Sequence, residues 1–167
     1  MLILFGGLPG AGKTTIAREL ARQIGAMHLR IDSIEQAIRN CLPVVPPLDE
    51  AGYRVAYTIA EDNLHIGRTV VADSVNPLSI TRDAWCEVGR RAQVDTIEIE
   101  VICSDSVEHQ SRVERRSMDI SGLVLPTWED VISREYDPWN RDHIVIDTST
   151  RSVEQNVNFL RESLPVR

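Results

Sequence analysis

Aromatic side chains make up only 5% of this 167-residue chain, so a platform for stacking single-stranded nucleic acid has little material. Positive charge is also in deficit. Eighteen Lys and Arg face 25 Asp and Glu, a formal net charge of −7 that disfavours a nucleic-acid partner while leaving room for a local basic pocket. Cysteine is limited to Cys41, Cys86 and Cys103, widely spaced and without C-x-x-C or neighbouring His ligands, so neither a disulfide framework nor a zinc site is encoded. No apolar run reaches membrane length. The N-terminal run stops after Phe5 and lacks a basic flank, so no signal peptide or membrane partner is read there, and the cytoplasm is the expected compartment. Repeats, low-complexity tracts and linkers are missing too. With 43% hydrophobic and 26% charged residues, one globular domain over residues 1–167 is expected. Oligomeric state has no sequence signature; a monomer or weak dimer is the expectation.

What is present begins with residues 7–14, Gly7, Leu8, Pro9, Gly10, Ala11, Gly12, Lys13 and Thr14, with Thr15 beside them. They follow the apolar run 2–5 and precede Ile16, Leu20 and Ile24 at helical spacing, with Gly25 as a stop. A G-x-x-x-x-G-K-[ST] motif between a strand and a helix is the setting of a phosphate-binding loop. The glycines let the backbone curl its N–H donors around a polyphosphate, and the helix N-terminus adds partial positive charge. Lys13 supplies a full charge to the β- and γ-phosphates of ATP, and the Thr14 hydroxyl is the expected Mg²⁺ ligand.

Strand and helix patterns alternate through the rest of the chain. Strands are expected at 27–31, 69–73, 97–102 and 143–147; helices at 49–67, 81–92, 106–118, 128–136 and from 153 to the C-terminus. Ser33 with Gln36, Thr127 with Asp130, and Ser152 read as N-terminal caps, and Thr81 as a further one. Residues 41–50, with Pro43, Pro46 and Pro47, read as a loop. This order predicts an α/β fold, a five-stranded parallel sheet with helices on both faces. The phosphate loop, Asp32, Asp73 and Asp147 then share the carboxyl edge where ligands bind.

Asp73 ends an apolar strand as a Walker B carboxylate does and is the second candidate Mg²⁺ ligand. Ser74 stands where motor ATPases carry the glutamate that activates water. Asp32, one strand away, is placed to orient an acceptor hydroxyl or take its proton, although it could also serve only as a helix cap. Arg112, Arg115 and Arg116 stand at i, i+3 and i+4 of a helix and could converge on the γ-phosphate, the alternative being a solvated face paired through Glu108. Arg30, Asn76 and Arg82 flank strand ends and are candidates for holding an anionic or hydroxylated substrate. The four histidines lack metal-ligand spacing, and the three tryptophans read as core or rim.

On residues 7–14, 29–32, 70–76 and the arginine helix, the chain resembles the small P-loop kinases grouped with AAA-family ATPases. These include polynucleotide kinases, seryl-tRNA kinase, zeta toxins, chloramphenicol phosphotransferase, and gluconate and shikimate kinases. The resemblance implies a nucleoside-kinase-like strand order, Asp32 in the acceptor site and a lid bearing Arg112, Arg115 and Arg116. It also implies adenine between that lid and residues 147–151, including Thr148. Nucleic-acid kinases of this group carry a second acidic residue where this chain has Ser33. The leading expectation is therefore an ATP- and Mg²⁺-dependent kinase acting on a hydroxyl of a small molecule, with Lys13, Asp32, Arg112 and Arg116 as catalytic candidates. A nucleotide-dependent switch and a kinase of nucleic-acid ends remain as alternatives.

Overall fold

The computed structural model describes residues 1–41 and 50–165. Five strands, β1 (Leu2–Gly6), β2 (Met27–Arg30), β3 (Val70–Asp73), β4 (Thr96–Ile102) and β5 (Ile144–Asp147), pair in the order β2-β3-β1-β4-β5 with every pair parallel. The helices are α1 (Lys13–Ile24), α2 (Ile31–Cys41), α3 (Ala51–His65), α4 (Ser79–Arg91), α5 (Ser106–Glu114), α6 (Trp128–Ile132) and α7 (Val153–Ser163). Among the described residues no helix is long and apolar enough to cross a membrane. Most of the proline-rich stretch expected as a loop, residues 42–49, lies outside the described residues, as does the expected start of α3 at Asp49.

Alternation along the strands divides the core. Ile3, Phe5, Val71, Ile99, Val101 and Ile146 point to one face, where α1 contributes Ile16, Ala17 and Leu20, and α7 contributes Val157 and Leu160. Leu2, Leu4, Leu29, Val70 and Ala72 point to the other, covered by Ala56, Ala60 and Leu64 of α3 and by Trp85 and Val88 of α4. Trp85 is fully buried with its ring edge-on to Tyr57, centroids 4.7 Å apart.

Four element boundaries differ from the sequence expectation, each for a tertiary reason. β2 stops at Arg30 and α2 begins at once at Ile31, so Ser33 lies inside the first turn and is not its cap. Ile31 is buried with Leu29 against α3, which commits the chain to turn before the serine. Helix α4 starts at Ser79, and Thr81 donates back to the Leu78 carbonyl at 2.8 Å. The group that accepts from the Ser79 N–H, at 2.7 Å, is the carboxylate of Asp137, 58 residues downstream. Helix α5 ends at Glu114, four residues early, because Asp119 is drawn off the helix axis to Arg30 and Arg18. Helix α6 is capped by Thr127 and Asp130 as expected but ends at Ile132, beyond which Tyr136 turns to hydrogen-bond Glu100. The box of Ser152 with Gln155 caps α7.

Asn76 and Arg82 are structural, which corrects their reading as substrate-binding candidates. Asn76 is fully buried at φ 47° and donates its amide to the Phe5 carbonyl at 2.7 Å. Arg82, 1% exposed, donates to the carbonyls of Asn76, Pro77, Asp137 and Pro138 and lies over the Trp139 ring. It joins the turn after β3 to the segment after α6.

The three thiols separate by environment. Cys41 is exposed, Cys86 is half-buried beside Glu98, and Cys103 is buried. Burial, reinforced by Glu98, pushes the Cys86 thiol up to about 11. A thiol reagent at pH 8 should therefore label one cysteine at least tenfold faster than the other two. Peptide mapping should place that label on Cys41, and fast labelling of Cys86 would contradict the packing.

Candidate active site

Helix α1 opens without a side-chain cap. Gly12, the cap residue, is left-handed at φ 99°, and the first turn holds no acidic residue, so the helix end presents its N–H donors to the space above the sheet. Gly7 is required for a reason its motif position does not reveal: at φ 132° a Cβ would collide with the Val101 carbonyl on β4. Lys13 is 7% exposed and donates from Nζ to the Leu8 carbonyl at 2.9 Å. Burial pushes its ammonium down to about 8, against the opposing pull of Asp73 and Asp32. A buried cation with one neutral carbonyl partner is poised to gain from an arriving phosphate.

Gly10 carries helix α5. Its φ is 83°, and a Cβ there would stand 2.5 Å from Val113 and 3.2 Å from the His109 ring. His109, 7% exposed, donates from Nε2 to the Pro9 carbonyl at 2.8 Å and meets Trp128 edge-on. The helix bearing the arginines is thus docked on the phosphate loop itself. Gly10→Ala should strain the loop and push α5 away, costing about 2 kcal/mol or more of stability and weakening nucleotide binding at least tenfold. Thermal melts and a nucleotide titration would register both changes; an unchanged affinity would contradict this docking.

Asp73 is 2% exposed at the end of β3, one strand from the loop, and accepts from His28 Nε2 at 3.2 Å. Asp73 and Thr14 line the same cavity, and a carboxylate and a hydroxyl are hard oxygen donors of the kind that would hold Mg²⁺. Ser74 beside Asp73 is also buried.

The cavity has a volume of about 1500 Å³ and gathers Lys13, Thr14, Thr15, Asp32, Asp73, Arg112, Arg115, Arg116 and Thr148. Its charge is opposite in sign to the chain's: nine Lys or Arg line it against five Asp or Glu, out of 18 and 25 in all. Asp32 lies in the first turn of α2, with Arg30 Nη2 at 3.3 Å and Arg116 at 4.0 Å. The three arginines expected on one helix face are split by the early end of α5. Arg112 remains helical, held by Glu108 and by the hydroxyl and carbonyl of Thr148 at 2.7 and 3.0 Å; Arg115 is the cap residue, and Arg116 follows it. The Thr148 hydroxyl is also 2.9 Å from the Ala11 carbonyl, so the loop after β5 touches the phosphate loop.

Gln36, Arg39, Tyr53, Tyr57 and Leu78 also line the cavity. Tyr53 and Tyr57 are tilted against each other at 6.1 Å, and the Tyr53 hydroxyl accepts from the Asn76 N–H. Sequence reasoning missed His28, Tyr53, His109, Asp119 and Arg134 as residues of this region. His28 and Arg30 share one face of β2 by the two-residue period, a signal that was available; His109 and Asp119 have none, since their partners lie about a hundred residues away.

A family model described as an AAA domain matches residues 2–134. Uncharacterised proteins of Mycobacterium tuberculosis and Mycobacterium bovis are 27% identical over 179 aligned positions. The alignment takes in 98% of this chain but 35% of the relatives, so the chain spans about a third of their length. Among solved structures, one described as a candidate kinase from Chloroflexus aurantiacus superposes with a TM-score of 0.74 at 20% identity, covering 97% of this chain and 94% of that one. A sugar kinase from Janibacter gives 0.71 at 18%, covering 96% and 92%. Kti12 from Chaetomium thermophilum, solved with ADP-AlF3, gives 0.67 at 21%, covering 99% and 100%. These are likenesses of fold, and the fold is that of the small P-loop kinases.

Proposed function

The chain belongs to this AAA domain family, and from that premise we propose that it is an ATP- and Mg²⁺-dependent kinase transferring the γ-phosphate to a hydroxyl of a small-molecule acceptor. One observation carries the reading. The same cavity that holds Lys13 and the uncapped end of α1 continues past Asp73 to a carboxylate, Asp32, backed by side chains that no nucleotide phosphate needs. A nucleotide switch has no use for that part of the lining. The serine after Asp73 supports the same reading, because it leaves water without its usual activating carboxylate.

In this scheme Lys13 and the loop amides hold the β- and γ-phosphates, and Arg112 with Thr148 frames the nucleotide's far end. Thr14 and Asp73 would hold Mg²⁺, which supplies charge neutralisation between the phosphates. Asp32 orients the acceptor hydroxyl. Its oxygen forms a bond to the γ-phosphorus as the bond from that phosphorus to the leaving ADP oxygen breaks, and the hydroxyl proton passes to the Asp32 carboxylate. Arg116, beside Asp32, and Arg115 neutralise the charge spread over the transferring group.

The test is a metabolite-library screen for ATP-to-ADP conversion in which Lys13→Ala is the blank. One chemical class of hydroxylated compound should accelerate ADP release at least tenfold over the ATP-only rate. Acceleration by a protein and by no metabolite would favour the switch. An oligonucleotide acceptor whose binding weakens steeply with salt would favour the nucleic-acid kinase.

A further inference from the structure

Arg30 is a buried cation that the scheme above does not use. Its side chain is 6% exposed, at the end of β2, and it lines both the main cavity and a smaller neighbour of about 380 Å³. Its guanidinium forks onto the Asp119 carboxylate, Nη1 to Oδ2 at 2.5 Å and Nη2 to Oδ1 at 3.1 Å, and Nη2 also donates to Asp32 at 3.3 Å. The Nε of Arg30 is buried without a partner among the described residues. Asp119 itself is 40% exposed, sits in the irregular segment between α5 and α6, and shares its carboxylate with Arg18 on α1.

We propose that Arg30 is the anion-binding group of the acceptor site, occupied in the free protein by the Asp119 carboxylate, so that the acceptor is a small molecule carrying both a hydroxyl and a carboxylate or phosphate. Three features carry this. A bidentate fork is the geometry by which arginine recognises an incoming oxyanion, and an internal carboxylate already fills it. That carboxylate belongs to a segment with no regular structure, which can withdraw without unpacking a core. Most tellingly, a single nitrogen, Nη2, touches both Asp119 and Asp32. An anion replacing Asp119 would stand no further from Asp32 than two hydrogen bonds laid end to end, so the hydroxyl presented to Asp32 and the anionic group belong to the same short molecule. The cationic lining of the cavity in an acidic chain fits this acceptor, and a neutral polyol would leave Arg30 to Asp119.

This inference rests on the kinase reading for the acceptor's role, but its test does not require turnover. The full chain is loaded with Mg·AMP-PNP, which fills the γ-phosphate position, and titrated calorimetrically with malonate, orthophosphate or glycerol. Wild type is expected to take up the two anions weakly, since its site is free only while Asp119 is withdrawn. Asp119→Ala should bind at least one of them about tenfold tighter or more, and adding Arg30→Gln should abolish the gain. Preference for malonate assigns a carboxylate acceptor, preference for orthophosphate a phosphate ester. Glycerol should not distinguish the variants. If Asp119→Ala unfolds, Asp119→Asn removes the charge while keeping the shape and reads the same change. Unchanged or weaker anion uptake in folded Asp119 variants would make Asp119 a permanent latch and overturn the proposal. Arg30-dependent uptake without phosphoryl transfer to any acceptor would overturn the kinase reading alone.

Discussion

Replacing Asp32 by alanine should lower phosphoryl transfer by about 10²- to 10⁴-fold while leaving ATP affinity within about twofold. The separation follows from where the carboxylate stands. It is in α2 and lines the cavity, whereas the proposed donor half is built from residues 7–15, the end of β3 and the segment after β5. The substitution removes one of the two carboxylates hydrogen-bonded to Arg30, and the other, Asp119, is the one that grips it in a fork, so β2 and the segment after α5 keep their tie. The loss should fall on kcat with little change in the nucleotide dissociation constant. Asp32→Asn should recover part of the positioning but not the proton acceptor, and so lie between the two. A variant that transfers at the wild-type rate would remove Asp32 from the chemistry.

The second large effect is on stability. Arg82→Ala should cost about 3 kcal/mol or more, because four carbonyls on two separate segments lose a buried, charged donor. The cation over the Trp139 ring goes as well, the guanidinium lying 4.8 Å from its centroid. For a chain of this size such a loss lowers the melting temperature by roughly 6 to 12 °C. Lysine should rescue little, since one ammonium lacks the planar fork that spans both segments. Urea or thermal melts decide the point. A shift of less than about 1 kcal/mol would mean that the carbonyls find other donors.

These two residues also mark how far the sequence could be read. The central strand, the phosphate loop and helix α1 were legible because each is specified locally: an apolar run, glycines, then apolar residues at helical spacing. The box at Thr127 and the cap at Ser152 were legible for the same reason, Thr127 and Asp130 being three residues apart and Ser152 standing just before apolar residues at helical spacing. Asp32 and Asp73 could be placed on one edge from strand order alone. Arg82 and Asn76 were misassigned as ligands because a polar residue after a strand looks the same whether it faces a substrate or a neighbouring carbonyl. What separated the two was Asp137 and the carbonyls beside it, more than fifty residues away. The boundary of α5 was lost in the same way, since nothing around Glu114 announces that Asp119 will be captured by Arg30. Pairings of such span become visible only when the strands are side by side.

The docking of α5 on the phosphate loop has a further consequence, concerning how such a protein diversifies. With His109 on Pro9, Val113 beside Gly10 and Thr148 on Ala11, the phosphate loop, α5 and the segment after β5 brace one another and tolerate little variation. Gln36 and Arg39 of α2 and Tyr53 and Tyr57 of α3 line the same cavity. Tyr53 and Tyr57 are held by Asn76 and Trp85, whereas the side-chain hydrogen bonds of Gln36 and Arg39 among the described residues stay within α2, so on the proposed kinase reading a lineage could move from one acceptor to another by substitutions at those two positions with least disturbance of the fold.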